Sequence, residues 1–520
     1  MGGSDGSSSM SEVERNSGQN GMEGRVGFGT RISDIARQRP AQPAIIYSQS
    51  GGAETALSWR ELDRWTNRAA RLIASRGVDG TSTVAVGLSN SPEHFVAVLA
   101  AWKVGACVIP LRAALPVPER DSLLELAQPR LVVSEWEDID GIGPKELYAG
   151  AFDDGPVPYV VPHPAKAVAS GGSTGRPKLI LDPNPGAQVP GAISEQFGEW
   201  SGIRSNQIQL VSAPLYHTAP FNMAHAGLFE GHTLILMDRF DPVRALDLIE
   251  GHGVTFSPMV PTMMLRMLRT RGVESRDLDG LTLYHTGGPC PSWVKHGWIR
   301  LIGAENVYEA FGSSEMVGIV AVRGDEWLLH EGTLGRPVQT EIRILDPDRR
   351  PLAPGEVGEI FMRPLFANGP TYRYIGSPPA ASTPDGFISV GDMGWLDGDG
   401  YLFLADRRAD MIVSGGANVF PAEIEASLSE HPGVADAVVV GVPDDEWGHR
   451  VHAIIKPVDP DAPPPVSDLE SQVRARLAAY KVPKTFEFVT ELPRNEAGKI
   501  RRSSLAEDRA AVQVALDHLS

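Results

Sequence analysis

The feature that most constrains this chain is an alternation of two hydrophobic periods. Short apolar runs at 84–88, 106–111 and 130–133 alternate with segments of helical pattern at 61–75, 92–103 and 116–127. Strand, helix and strand in repeated succession predict a doubly wound α/β sheet. The alternation resumes after residue 205, with apolar runs at 209–212, 233–237, 254–256, 281–285 and 307–310. Most of these run into turns rich in Gly, Pro, Ser or His. Ligands of open α/β sheets collect at the carboxyl ends of the strands. The segments to inspect are therefore Tyr216-His217-Thr218, Gly287-Gly288-Pro289 and Gly312-Ser313-Ser314-Glu315.

The rest of the chain divides around this core. A length of 520 residues suits two or three domains. Residues 1–24 hold six Gly and six Ser and few aliphatics, and are expected to form a disordered leader. After about residue 330, runs at 341–345 and 359–362 predict a smaller β unit. A polar break, Asp-Arg-Arg-Ala-Asp at 406–410, precedes a compact α+β unit. That unit should carry a helix at 422–430, strands near 436–442 and 450–456, a helix at 467–479 and a last strand near 486–489. Its 457–466 connection contains five prolines and belongs on the surface.

Charge and cysteine content exclude several classes. A net charge of −18 argues against a general nucleic-acid binder, which needs an electropositive footprint. Cys107 and Cys290 are too few for a disulfide framework or a cysteine metal site, so a cytoplasmic setting is the default. The most apolar stretch, 95–111, is interrupted by Lys103 and Gly105 and is too short to span a bilayer.

Five segments carry chemistry. In Ser170-Gly171-Gly172-Ser173-Thr174-Gly175-Arg176-Pro177-Lys178, three glycines allow tight turning, hydroxyls donate and Lys178 adds charge. This phosphate-cradling composition is not a Walker loop, and the strand-like Leu179-Ile180-Leu181 after it places the loop between two strands. The second segment, 308–315, delivers Phe311 to stack on a base, Gly312 for close approach, and Glu315 as a Mg²⁺ ligand beside phosphates. Ser314 lies between them. In the third, Asp392 follows an apparent strand at 387–390, where a carboxylate suits ribose hydroxyls. The fourth spans 406–425 and contains Arg407, Asp410, Gly415 and Gly416. The fifth, 493–502, places Lys499 after Gly498 on a tight turn, able to deliver one positive charge to a reacting phosphate.

Together these segments resemble the AMP-forming adenylate superfamily of acyl-CoA synthetases, peptide synthetase adenylation domains and beetle luciferases. The resemblance covers residues 28–506, with the segments in family order and spacing. It implies a large N-terminal domain (25–406) of doubly wound sheets plus a small β unit, a hinge (407–410) and a small mobile α+β lid (411–520). It also implies two half-reactions: a carboxylate attacks the α-phosphate of ATP, then coenzyme A attacks the acyl-adenylate. Lys499 would bridge the carboxylate and the α-phosphate, neutralising charge in near-attack geometry. Ser173, Thr174 and Lys178 would hold the outer phosphates within the 170–178 loop, and Glu315 would ligate Mg²⁺. Phe311, where the family usually has Tyr, would stack on adenine. Asp392 and Arg407 would hold the ribose, Gly287 and Gly288 would line the adenine and acyl pockets, and His217 would sit near the acyl carboxylate.

For the second half-reaction the resemblance implies rotation about Ala409, where many members carry Asp or Lys. It places Gly415 and Gly416 along a pantetheine tunnel, and Trp447 and Tyr480 at coenzyme A by position. Adenylating domains for amino acids hold the ammonium with an acid just after the His217 region. Here Phe221 is followed by Asn222, Met223 and Ala224, so an amino-acid substrate is not expected. No carrier segment follows residue 520, which favours a free-standing CoA ligase. Phe221, Met223, Met259, Met263, Met264 and Met316 suggest a pliable pocket for a bulky apolar acid, fatty, steroid or bile. The loop variants look most like bile-acid-CoA ligases and medium- or long-chain acyl-CoA synthetases. A carrier-protein acceptor, or a non-catalytic nucleotide or acyl binder, are the alternatives, and intact Lys499 and Glu315 oppose the last. A homodimer is compatible with all of these.

Overall fold

Ser58 turns the chain from strand to helix. Its hydroxyl accepts from the Glu61 amide while the Glu61 carboxylate accepts from the Ser58 amide, so two otherwise orphaned donors at the start of Trp59–Ser75 are satisfied. That helix packs against Pro92–Lys103, in which every residue from His94 to Lys103 is buried. A helix apolar on all sides belongs between layers, and this one joins a core cluster drawn from two sheets, including Val84 and Val108 of one and Ile45 and Leu234 of the other. The computed structural model describes residues 24–148, 152–171, 177–365, 369–407, 410–414, 417–444, 447–494 and 500–517. The leader expected at 1–24 lies outside them except for Gly24.

The nine-stranded sheet runs in the order Arg336–Val338, Ile319–Arg323, Val307–Gly312, Thr282–His285, Phe256–Met259, Ile208–Val211, Thr233–Met237, Pro43–Ser48 and Glu54–Ser58. From Val307–Gly312 to Pro43–Ser48 every pairing is parallel. The six-stranded sheet runs Arg373–Ile375, Pro177–Asp182, Lys166–Gly171, Cys107–Pro110, Thr83–Gly87 and Leu131–Ser134. Thr340–Leu345, Gly358–Pro364, Ile388–Leu396 and Leu402–Arg407 form an antiparallel sheet, the expected small β unit. Beyond it, Val434–Asp444, Gly448–Pro457 and Thr485–Phe488 form a three-stranded sheet backed by Pro421–Ser429 and Val466–Arg474.

Several details depart from the sequence expectation. The strand at 402 runs through the start of the polar break to Arg407, because it pairs with Ile388–Leu396. The helix expected at 467–479 ends at Arg474, and a short 3₁₀ turn follows at Ala479–Lys481. Thr218, expected in a loop, starts the helix Thr218–Phe229. The hairpin Pro43–Ser48 with Glu54–Ser58 was not anticipated.

Asp238 fastens that hairpin to the body. It follows strand Thr233–Met237 and accepts from the Ser50 amide (2.8 Å), the Ser50 hydroxyl (2.7 Å) and Arg244 (2.6 Å). Burial pushes its carboxyl up, but these bonds outweigh burial and hold it down at about 2. A carboxyl depressed in the folded state stabilises above its unfolded value and loses that contribution as pH falls through its folded value. Asp238→Asn should therefore lower the urea midpoint at pH 7, and the gap from wild type should narrow as pH falls from 4 towards 2. Urea titrations of both proteins across that range check this.

Candidate active site

Three distant stretches of chain meet where the two large sheets face each other. Lys178 lies on Pro177–Asp182, opposite Ser170 of the antiparallel neighbour Lys166–Gly171. The Gly- and Ser-rich turn therefore connects two strands, as its sequence implied. Glu315 follows Val307–Gly312 in the other sheet, and Lys178 Nζ approaches its Oε1 to 3.4 Å. Tyr374 comes from Arg373–Ile375, which adds to the edge of the six-stranded sheet opposite Ile180. Its hydroxyl donates to Glu315 Oε1 at 2.5 Å, and Lys178 Nζ lies 3.7 Å from its ring centroid.

This environment fixes charge. Burial pushes the Glu315 carboxyl up, but the Tyr374 hydrogen bond and the Lys178 charge outweigh it and hold the group below its ordinary value. Burial and the bond to Glu315 push the Tyr374 hydroxyl well up, so it stays a donor. Among the described residues no group of three or more His, Cys, Asp or Glu forms a metal cage. One ionised carboxylate nevertheless fits Mg²⁺, which is commonly held by one or two carboxylates together with substrate phosphates. Met316, next along, adopts a left-handed φ of 53°, a conformation that costs a non-glycine residue about 1 kcal/mol or more.

The other expected residues are distributed around this point. His217 immediately precedes the helix Thr218–Phe229, its ring 4.2 Å from that of Tyr216. Thr218 and Ser314 share a hydrogen bond of 2.7 Å, tying that helix start to the Glu315 turn. Gly287 and Gly288 are exposed after strand Thr282–His285. A side chain built at Gly288 would meet nothing within 4 Å, whereas Gly287 has φ 90°. Phe311 is half-buried against the cluster of the small β sheet, and Gly312 is exposed beside it. Asp392 and Arg407 lie opposite one another on paired strands. Trp447 and Tyr480 are exposed in the C-terminal unit, with Lys484 over the Trp447 ring at 4.7 Å. Gly171 is described as the end of its strand. Gly172, Ser173, Thr174, Gly175, Ala409, Gly415, Gly416 and Lys499 lie outside the described residues.

The residues expected to line an acyl pocket lie in different surroundings. Phe221 is 1% exposed and packs into the core, 4.2 Å from the His225 ring and 5.9 Å from Trp102. It stands four residues before His225, so both rings take the helix face turned to Pro92–Lys103. Met259, Met263 and Met264 are likewise buried, filling the core between Pro242–His252, Pro261–Leu268 and Ser292–Ile302. Met223 instead packs against an aromatic cluster that includes Phe229, Phe256, Tyr284 and Tyr308.

The sequence reasoning missed two further features. One is Tyr374, whose only sequence signal was a short alternation, Tyr372-Arg373-Tyr374, before a Gly-Pro-rich stretch. The other is a buried ion pair beneath the site. Lys295 of helix Ser292–Ile302 bonds Glu309, both side chains are at most 5% exposed, and Lys295 lies over the face of Trp327 at 4.3 Å. Glu309 sits opposite His285 in the parallel pairing, its Oε1 3.9 Å from Nδ1. Burial drives His285 down to about 4, so the imidazole is neutral and Lys295 is the counter-charge. The pair therefore links helix Ser292–Ile302 to the strand Val307–Gly312 that leads to Phe311.

The C-terminal unit meets the large one through Arg269, which donates to the carbonyls of Ala435 (2.5 Å) and Val434 (3.2 Å) and lies over Trp293. On both sides of 495–499 the chain is anchored, Arg494 on Asp436 and Arg502 on Asp410 and Glu425.

An AMP-binding enzyme family model matches residues 32–366, and the model of that family's C-terminal domain matches 423–499. The chain belongs to the AMP-binding enzyme family. Feruloyl-CoA synthase from Amycolatopsis sp is 33% identical over 92% of this chain and 98% of its own length. Fatty acid–[acyl-carrier-protein] ligase ScoC from Streptomyces coeruleorubidus is 30% identical over 90% and 94%. The solved structure of o-succinylbenzoate CoA synthetase (MenE) from Bacillus subtilis with its acyl-adenylate intermediate superposes with a TM-score of 0.77. It is 26% identical and covers 92% of this chain and 98% of that one. The α/β architecture of a large N-terminal and a small C-terminal part is thus that of adenylate-forming enzymes.

The buried pair gives a test of how the site is supported. Glu309→Gln leaves Lys295 buried without its counter-charge and should cost about 3 kcal/mol of stability. The double variant Lys295→Met/Glu309→Gln should recover more than half of that loss, as read by urea denaturation.

Proposed function

We propose that this protein is an AMP-forming acid–CoA ligase acting on an apolar, ring-bearing carboxylic acid. The observation that carries the proposal is the meeting of Lys178, Glu315 and the Thr218–Ser314 bridge, which draws three separate segments to one point between the sheets. A cation, an ionised carboxylate and hydroxyls suit a magnesium-bound triphosphate. The open space at Gly288 and the half-buried face of Phe311 suit a purine.

In the first half-reaction a carboxylate oxygen attacks the α-phosphorus and pyrophosphate leaves. Like charge opposes this step, so bound cations lower its barrier most. Lys178 holds the outer phosphates, and Lys499 joins the acid to the α-phosphate. Bound Mg²⁺ would offset phosphate charge beside Glu315. Asp392 and Arg407 hold the ribose, and His217 lies by the acyl carboxylate. The lid, 411–520, then turns about the 407–410 hinge. The thiol of coenzyme A attacks the acyl carbonyl, and AMP departs with the bonding electron pair. Gly415, Gly416, Trp447 and Tyr480 guide coenzyme A.

The choice of acid rests on the aromatic surroundings of Met223. It also rests on relatives named for feruloyl, 2-succinylbenzoate and indoleacetate substrates. Rings packed against rings favour an aryl acid over a straight chain by edge-to-face contact. A second reading, transfer to a carrier protein, is favoured by the likeness to ScoC.

The expected outcome is ATP–pyrophosphate exchange that depends on an added aryl acid and falls at least 100-fold in Lys499→Ala. Thioester should form with coenzyme A and not with a purified acyl carrier protein. A screen of aryl, steroid, bile and straight-chain acids checks the specificity, and preference for straight-chain acids or acetate would overturn the ring-bearing assignment.

A further inference from the structure

Lys178 and Glu315 have opposite charge and are both largely shielded from water, with side chains 17% and 16% exposed. Left alone, such a pair closes to a short contact, as Lys166 does with Asp182 and Lys481 with Glu423, both at 2.6 Å. Here the separation is 3.4 Å. Tyr374 contacts both members of the pair. Its hydroxyl takes Glu315 Oε1, the same oxygen that faces Lys178, and its ring carries the ammonium 3.7 Å from the centroid. A cation above an aromatic face is attracted without being neutralised. Tyr374 is itself braced by the Tyr372 ring at 4.7 Å, whose hydroxyl receives the Ala380 amide, and by its strand pairing with Ile180.

We propose that Tyr374 is a positioning residue for the triphosphate and its metal ion, holding Lys178 and Glu315 apart so that neither consumes the other's charge. This rests on the nucleotide reading above. The ammonium stays available to phosphate oxygens, and the second carboxylate oxygen stays available to a divalent cation. Without the hydroxyl, Lys178 and Glu315 collapse onto one another, and incoming nucleotide must first break that pair. AMP lacks the outer phosphates and gains nothing from the arrangement.

The test is equilibrium titration of the full chain, without acid or coenzyme A, using Mg·ATP and AMP as separate probes. Tyr374→Phe removes one oxygen and keeps the ring, and should weaken Mg·ATP about fivefold. Tyr374→Leu removes the ring as well and should weaken it at least thirtyfold. AMP affinity should stay within twofold of wild type in both. Equal losses for the two nucleotides would overturn the inference, because they would report general damage to the fold. Unchanged Mg·ATP affinity in Tyr374→Phe would also overturn it, and that variant keeps the test decisive if Tyr374→Leu fails to fold. Wild-type protein that binds neither probe would instead overturn the nucleotide reading, and this inference with it.

Discussion

Lys178 and Glu315 can meet only if two sheets are held at a fixed separation. One residue rides on the six-stranded sheet and the other follows a strand of the nine-stranded sheet. What fixes that separation is the helix Pro92–Lys103, buried from His94 onward and packed in a cluster that takes side chains from both sheets. Interiors of this kind are close-packed and transmit small displacements. A core substitution far from any polar group therefore moves two halves of the site relative to each other, and the chemistry depends on apolar packing as much as on its charged residues.

Buried charge serves the same end at two places. Lys103, at the end of that helix, is gripped by Asp63, Thr66 and Asn67 at 2.7–2.8 Å. Lys295 and Glu309 do the same work between helix Ser292–Ile302 and strand Val307–Gly312. Buried ion pairs add little net stability compared with apolar replacements, but losing one partner is costly. Their effect is to forbid alternatives: a slipped register or rotated helix would leave a bare charge in the core.

Much of this was readable from the sequence. Hydrophobic period located most of the parallel strands to within three residues, missing Pro43–Ser48 and Lys166–Gly171, and 92–103 and 233–237 match the helix and strand ends. The strand-like run Leu179-Ile180-Leu181 placed the Gly- and Ser-rich segment between strands. What the sequence could not show were contacts that cross between elements. The packing of Phe221 on Trp102 was one such contact, because a helix pattern does not reveal which side its partner occupies. The Lys295–Glu309 pair joins a helix to a strand across fourteen positions, a contact that no local period encodes. Tyr374 lies in a three-residue edge strand, too short for any period to declare itself.

The Arg269 contact with the C-terminal unit has an evolutionary side. It grips the carbonyls of Val434 and Ala435, and carbonyl oxygens are the same whatever side chain stands there. Mutational drift at 434 and 435 is thus invisible to this contact, while the whole of it hangs on the guanidinium. Divergent descendants of this chain could change position 435 and still dock, provided the arginine endures, whereas Val434 is held by its burial in the core of the C-terminal unit.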